Sequence, residues 1–435
     1  MRDIVILAIV AAASIAALRR PWIGIMLWTW LSIMNPHRFS FGIAYSAPLA
    51  AIAAGVTLIG FATTREKSSP MKGAPVTWLV VFMVWITLSW LMGLDVSDDY
   101  WQWNKVMKVF FMIIVGMALL RTKEHILALA CVAAGSLAVL GVKGGIFTIM
   151  HGGNYRVWGP PGSFIEDNNE FALSLVMTIP LLRFLQTQVS TGWRRHAMTA
   201  VMVLCAASAL GSQSRGALLA IAAMTVMMWW RGRNRLVGGV LIAIASVSLV
   251  SFMPDSWDQR MSTIQTYDKD DSALGRISAW WTAWGIAKDH LFGVGFNAAR
   301  PELFAQYSPY PDSVHAAHSI YFQTLGNHGF VGLVMFLGVM LSSYWYAGRL
   351  RKESAVHADA AWCEQLGAMC QVSLVGYLVG GAFLSLAYFD LPYNVLMLAV
   401  LGRAWVRARA WEREPAQAPR WLTRLAGIVP KPKVA

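Results

Sequence analysis

The chain has 435 residues, of which 57% are hydrophobic and only 14% charged, and it carries a net charge of +13. Soluble domains carry about 25% charged residues, so this composition cannot clothe a water-soluble globule of this length. The positive charge does not mark a nucleic-acid binder either, because the basic residues sit in short connectors between apolar runs rather than along one stripe.

Crossing a bilayer takes about 20 mostly apolar residues. In chain order, candidate spans fall at 3–18, 21–34, 43–63, 75–92, 105–120, 125–150, 169–186, 196–210, 215–230, 235–253, 319–347, 362–386 and 390–407. The first two are short, so the pattern predicts an all-α membrane protein of about twelve transmembrane helices. The runs are too long for strands and do not alternate polar with apolar residues. The run from Ile4 to Leu18 reads as a retained helix, because Arg19-Arg20 follow at once without a small-residue cleavage site. Trp78, Trp101, Trp103, Trp193 and Trp229 stand near segment ends, as interfacial aromatics do. Cys131, Cys205, Cys363 and Cys370 lie inside apolar runs with neither metal-ligand nor disulfide spacing, and read as small buried hydrophobes.

The connectors set the orientation. Basic ones (Arg65, Lys67 and Lys72; Arg121 and Lys123; Arg194 and Arg195; Arg231, Arg233 and Arg235; Arg349, Arg351 and Lys352) alternate with connectors that are acidic, mixed or short. The basic set is expected in the cytoplasm, which places 93–104, 151–168, 211–214, 254–318 and 387–389 on the opposite side. Four regions follow: N-terminal transmembrane helices over 1–253, a large loop over 254–318, C-terminal transmembrane helices over 319–410, and a basic cytoplasmic tail over 411–435 suited to anionic lipid. Inside the loop, Leu274 to Lys288 carries Ile277, Trp280, Trp281, Trp284 and Ile286 on an apolar side. This predicts an amphipathic helix on the membrane face or over a cavity.

Four polar segments interrupt this plan, and the topology places all four on one side. In Gly159-Pro-Pro-Gly-Ser-Phe-Ile-Glu-Asp-Asn-Asn-Glu170, the run Asp167, Asn168, Asn169 and Glu170 precedes a span and Arg156 stands just before it. Helix capping accounts for such a run, and so does sugar or acceptor binding. In Gly211-Ser-Gln-Ser-Arg-Gly216, Arg215 opens an apolar run, where its charge opposes the helix dipole. It is either an interface arginine or an anion ligand, since a guanidinium makes paired hydrogen bonds to phosphate. Arg276 opens the loop helix, as a surface charge or a second anion ligand. In His315-Ala-Ala-His318-Ser319, His318 falls at the last polar position before the long span 319–347, where a neutral imidazole can take a proton from a hydroxyl. His315 and His318 would share a face if that turn were helical, and no third ligand stands at metal-site spacing. Two arginines, a histidine and an acid/amide cluster around one cavity suit a substrate with a negatively charged leaving group.

Taken in order, Ser214-Arg215-Gly216-Ala-Leu-Leu, then Gly275-Arg276 to Gly293-Val-Gly295-Phe296, then Ala317-His318-Ser319 to Gly329-Phe-Val-Gly332, this chain resembles the O-antigen ligase / O-antigen polymerase superfamily of bacterial envelope glycosyltransferases. Asp167-Asn-Asn-Glu170 resembles a further family segment, and the N-terminal part resembles ligase-like proteins found near exosortase systems. The resemblance covers about residues 155–345, and the doubled His315/His318 departs from the common pattern. It implies a GT-C-like membrane glycosyltransferase with a large periplasmic loop, set in the bacterial inner membrane with its active site on the periplasmic side. It implies an inverting ligase that moves a glycan from undecaprenyl diphosphate to the sugar of lipid A–core in lipopolysaccharide biosynthesis, with no metal, cofactor or nucleotide sugar. His318 would be the base, and Arg215 and Arg276 would hold the diphosphate. Arg156, Asp167, Asn168, Asn169, Glu170 and His315 would contact substrate.

An O-antigen polymerase or a protein O-oligosaccharyltransferase would use the same donor. A transporter would place ionisable groups or paired broken helices at mid-membrane. Here Lys143, Arg183 and Glu364 lie near span ends.

Overall fold

The computed structural model describes residues 1–189, 192–231 and 271–414. The span expected at 235–253, the loop residues before Asp271 and the tail after Glu414 lie outside them. The described residues form helices α1 (Arg2–Arg19), α2 (Pro21–Met34), α3 (Ile43–Ser46), α4 (Leu49–Thr63), α5 (Ala74–Leu91), α6 (Val96–Leu119), α7 (Lys123–Met150), α8 (Asn168–Gln188), α9 (Trp193–Gly211) and α10 (Arg215–Arg231). After the gap come α11 (Asp271–Asp289), α12 (Pro301–Tyr307), α13 (Ile320–Ser354), α14 (Ala361–Gly380) and α15 (Asp390–Arg407). No strand occurs among the described residues.

Length and hydropathy qualify six helical stretches to cross a membrane: α5, α6, α7, α8, α13 and the stretch Ala358–Phe383 that contains α14. Pro21–Met34, Leu49–Thr63 and Arg215–Trp230 are apolar but shorter. The chain is thus an all-helical, multi-pass membrane protein, with six candidate spans among its described residues.

The caps explain where expectation and structure part. The span expected over 43–63 is split, because a residue before proline is pushed out of the helical region. Ala47 is accordingly extended before Pro48. α6 begins well before residue 105. The Asp95 carboxylate accepts from the amides of Ser97 (3.1 Å) and Asp98 (3.0 Å), and Asp98 and Asp99 favour the first turn. The connector expected over 93–104 is therefore mostly helix. α13 continues to Ser354 but is kinked at Gly329, whose φ is 70°.

Hydrogen bonds gather the polar connectors at one end of the bundle. Leu94 N donates to the Val294 carbonyl, Asn168 Nδ2 to that of Ser212, and Gln213 Nε2 to that of Gly153. These bonds tie the head of α8 and the turn after residue 150 to the turn 212–214, and the turn before α6 to the segment after α11.

The connector from Gly381 to Phe389, expected as a short external turn at 387–389, is mostly buried. Leu384, Leu386, Ala387, Tyr388 and Phe389 are each at most 1% exposed. Buried loops must satisfy their backbone groups internally. Tyr377 Oη donates to the Leu386 carbonyl (2.9 Å), Tyr393 Oη donates to that of Ala387 (2.6 Å), and Ala387 N donates to Gln323 Oε1 (3.2 Å). The apolar core around this connector draws on α5 to α8 and α13 to α15.

Candidate active site

Three helix heads meet this connector. Gly216, in the first turn of α10, packs against Phe383, where an added Cβ would lie 3.3 Å from the Phe383 Cβ. The Glu170 carboxyl, in the first turn of α8, accepts from the Ser385 amide. Gln323 Oε1, in the first turn of α13, accepts from the Ala387 amide, and an added Cβ on Gly381 would meet the Ile320 side chain. Arg215, Asp167 and His318 stand at these same three heads.

Each head is built locally. Ser214 caps α10 by accepting from the Ala217 amide (3.2 Å), which puts Arg215 at the first helical position. Asp167 caps α8 by accepting from Asn169 N and Asn169 Nδ2, both at 2.8 Å. Asn168 is buried and reaches the Ser212 carbonyl at 2.6 Å, tying the α8 head to the turn that carries Arg215. The Asp167 and Glu170 carboxyl groups lie within reach of each other at this head.

His318 does not share a helical turn with His315. The segment 313–318 is non-helical, and His318 itself has φ 41°, a left-handed conformation uncommon outside glycine. The surroundings hold it there. Trp280 Nε1 donates to the Ala317 carbonyl (2.7 Å), and its indole stacks on Phe322 at 4.9 Å. The next residue, Ser319, is buried, and its hydroxyl has no partner among the described residues.

Around the His318 imidazole stand Arg276, Asp167 and His315, in that order of electrostatic effect. Burial and then Arg276 hold the imidazole below its ordinary value, while Asp167 opposes them. Burial alone would raise the Asp167 carboxyl. Hydrogen bonds from Glu170 and Asn169, with the charge of His318, outweigh this and hold it below the usual carboxylate range. Beside Arg276, Gly275 lets the His315 ring approach the backbone, because an added Cβ would meet the ring at 2.6 Å.

The loop helix differs from expectation in which face it buries. Ser278, Ala279, Thr282, Ala283 and Ile286 face inward, whereas Trp281 (58%) and Trp284 (42%) are exposed. Beyond it, Gly293-Val-Gly295-Phe296 docks on the α13 kink. Val294 N donates to the Gly326 carbonyl and Gly295 N to that of Asn327. A Cβ on Gly293 would overlap the Asn327 carbonyl, and one on Gly329 would overlap that of Leu291. Arg300 then clasps Asp99 (3.2 Å), Asp98 (3.6 Å) and Asp95 (3.9 Å), while Phe296 N donates to Asp99 Oδ2 (2.7 Å).

The structure therefore brings together His318, Arg276, Asp167 and His315, with Glu170 and Asn169 behind Asp167. Arg215 opens the helix that follows the Ser212 turn, which Asn168 ties to the α8 head. Arg156 is exposed and lines a separate cavity of about 210 Å3 with Lys143, Trp158 and Phe171. Sequence reasoning missed Trp280 as the anchor of the His318 segment and Ser385 as the partner of Glu170. Neither carries a local signal, since each acts through a fold contact.

With this geometry in hand, residues 200–337 match the family described as O-Antigen ligase. The chain carries an O-antigen ligase domain there, which supports membership of the O-antigen ligase superfamily and a role of the ligase/polymerase kind. Residues 1–189 match a family of unknown function. No match to the chain is found among curated proteins.

Proposed function

We propose that the chain is an O-antigen ligase that transfers a glycan from undecaprenyl diphosphate to the sugar of lipid A–core, on the periplasmic side of the inner membrane. The observation that carries this reading is that Arg276 and Asp167 act on one His318 imidazole from different helices. The alternation of basic connectors supports the sidedness.

His318, neutral at physiological pH, accepts the proton of the acceptor hydroxyl. The acceptor oxygen attacks the anomeric carbon as the bond to the diphosphate oxygen breaks, with inversion. Asp167 stabilises the imidazolium that forms. Arg276 and Arg215 neutralise the departing diphosphate, and the positive end of the α10 dipole adds to the charge of Arg215. A leaving group this good needs charge stabilisation rather than protonation, and losing one oriented donor commonly costs about 10²–10³ in rate. Asn168, Asn169, Glu170 and His315 would shape the pit around the reacting sugar, with Arg156 further out.

The test is a ligation assay on membrane-inserted His318→Ala, Arg215→Ala and Arg276→Ala proteins, with lipid-linked glycan as donor and lipid A–core or protein as acceptor. Full activity in all three variants would end the proposal. Transfer to protein alone would make the chain an oligosaccharyltransferase. Arg→Lys variants keep the charge without the paired geometry and are expected to recover only part of the rate.

A further inference from the structure

At the same end of the bundle, residues far apart in sequence enclose a second cavity of about 260 Å3. The end of α2, the turn Pro36–Phe39, the head of α4, the middle of α6 from Trp101 to Val109, the segment Gly162–Phe164 and the head of α15 form its walls. His318, Arg276 and Arg215 do not line it.

Arg38, Lys105 and Lys108 all line this cavity. Its one carboxyl group, Asp390, is buried, accepts from the Ser32 hydroxyl and offsets part of the charge of Lys105. The lining is thus net positive by two with His37 neutral, and burial and then Arg38 hold His37 below its ordinary value. Two of the cations are held in place. Lys105 Nζ lies 3.8 Å from the Phe164 ring centroid and 5.1 Å from that of Trp101. The Arg38 guanidinium lies against the bare Cα of Gly162, where an added Cβ would be 3.3 Å from Cζ. Like charges gathered in a part-closed, low-dielectric space are costly without a counter-anion.

The other walls narrow the ligand class. Ser32, Asn35, Asn104 and Ser163 supply hydroxyl and amide groups, and Trp28, Trp101 and Phe164 supply flat apolar faces. Fixed cations beside amides and aromatic faces suit a phosphate carried on a sugar ring. Ligand pockets commonly run to roughly 300–1,000 Å3, so this smaller space fits one headgroup rather than a glycan chain.

We propose that this cavity is a second anion site, separate from the His318 centre, that binds a phosphomonoester through Arg38, Lys105 and Lys108. The phosphate comes either from a phosphorylated sugar or from a lipid headgroup. The site would also bear on the His318 centre through one loop. Glu166 accepts from Gly162 N with its carboxylate (2.8 Å) and from Gly159 N with its carbonyl (2.9 Å), and Asp167 follows directly.

Calorimetric titration of the purified full chain with glucose 6-phosphate, inorganic phosphate and glucose tests this. Native mass spectrometry with phosphatidic acid against phosphatidylcholine tests the lipid source. Saturable binding of glucose 6-phosphate or of phosphatidic acid, but not of glucose or phosphatidylcholine, supports the site and identifies the source. Arg38→Gln and Lys108→Gln should each weaken that binding at least tenfold, and Arg38→Lys should retain part of it. Arg215→Ala and Arg276→Ala should leave it unchanged, which separates this site from the transfer chemistry. No binding by any phosphate probe would overturn the proposal. So would binding that survives Arg38→Gln and Lys108→Gln, or binding lost only with Arg215 or Arg276. Melting temperatures of the variants, matched to the unmodified chain, establish that a loss is not unfolding.

Discussion

Asp167, at the head of α8, favours the protonated form of the His318 imidazole at the head of α13, and His318 in turn helps keep Asp167 ionised. The two residues are 151 positions apart, and no contact within either helix would create the pair. A base that must accept a proton gains from a fixed anion beside it, because the imidazolium it becomes is then less costly.

This pair gives a pH prediction with a definite sign. The neutral imidazole is the active form, so activity should rise with pH through the His318 titration. That limb should lie below the ordinary histidine value of about 6.5. Asp167→Asn removes the anion and should move the limb to lower pH. Arg276→Gln removes the opposing cation and should move it to higher pH. The measurement is kcat/KM for glycan transfer against pH, and a limb that stays put in both variants would contradict the assignment.

Gly275→Ala should displace the His315 ring and shift Arg276 from its place beside His318. A misplacement near 1 Å can cost about 10²-fold in rate. Removing the ring in Gly275→Ala/His315→Ala should recover most of the loss. Additive losses in this double-mutant cycle would mean that the glycine serves another purpose.

Gly293→Ala and Gly329→Ala face a harder obstacle, because each added Cβ would overlap a backbone carbonyl across the loop–kink junction, and both glycines hold φ 70°. Neither variant can relax by turning a side chain. Both should lose folded protein in the membrane, read as lower yield and greater sensitivity to protease. Normal yield with a normal melting temperature would show that the junction is looser than described.

A second histidine in the same motif is held on both ring nitrogens. His328 is fully buried, with Ser89 Oγ at 2.7 Å from Nδ1 and Tyr388 Oη at 2.7 Å from Nε2. Tyr388→Phe would leave Nε2 without that partner, at a cost of about 1–3 kcal/mol. The expected result is a lower melting temperature with transfer per folded molecule nearly unchanged. A large rate loss at unchanged stability would move His328 into the chemistry.

Hydropathy made most helices legible, because runs such as 125–150 and 169–186 are long and the caps Thr122 and Asp167 mark their starts within a few residues. The electrostatic neighbours of His318, Asp167 and Arg276, are both residues the sequence had singled out as candidates. The left-handed backbone of His318 was not, because it depends on Trp280 holding the preceding carbonyl. The early start of α6 was hidden by its own polarity, as Asp98 and Asp99 look like loop residues until Arg300 and Phe296 N are found clasping Asp99. The cavity of Arg38, Lys105 and Lys108 was beyond sequence reasoning, since it draws on five separate stretches of chain.

The buried connector from Gly381 to Phe389 has a consequence for the order of assembly during synthesis. It is the shared floor for the heads of α8, α10 and α13, yet it leaves the ribosome after all of them. Until it arrives, Glu170 lacks its Ser385 amide and Gly216 its Phe383 neighbour. A nascent chain that has already translated Asp167, Arg215, Arg276 and His318 therefore holds them in unfinished surroundings until this connector is delivered.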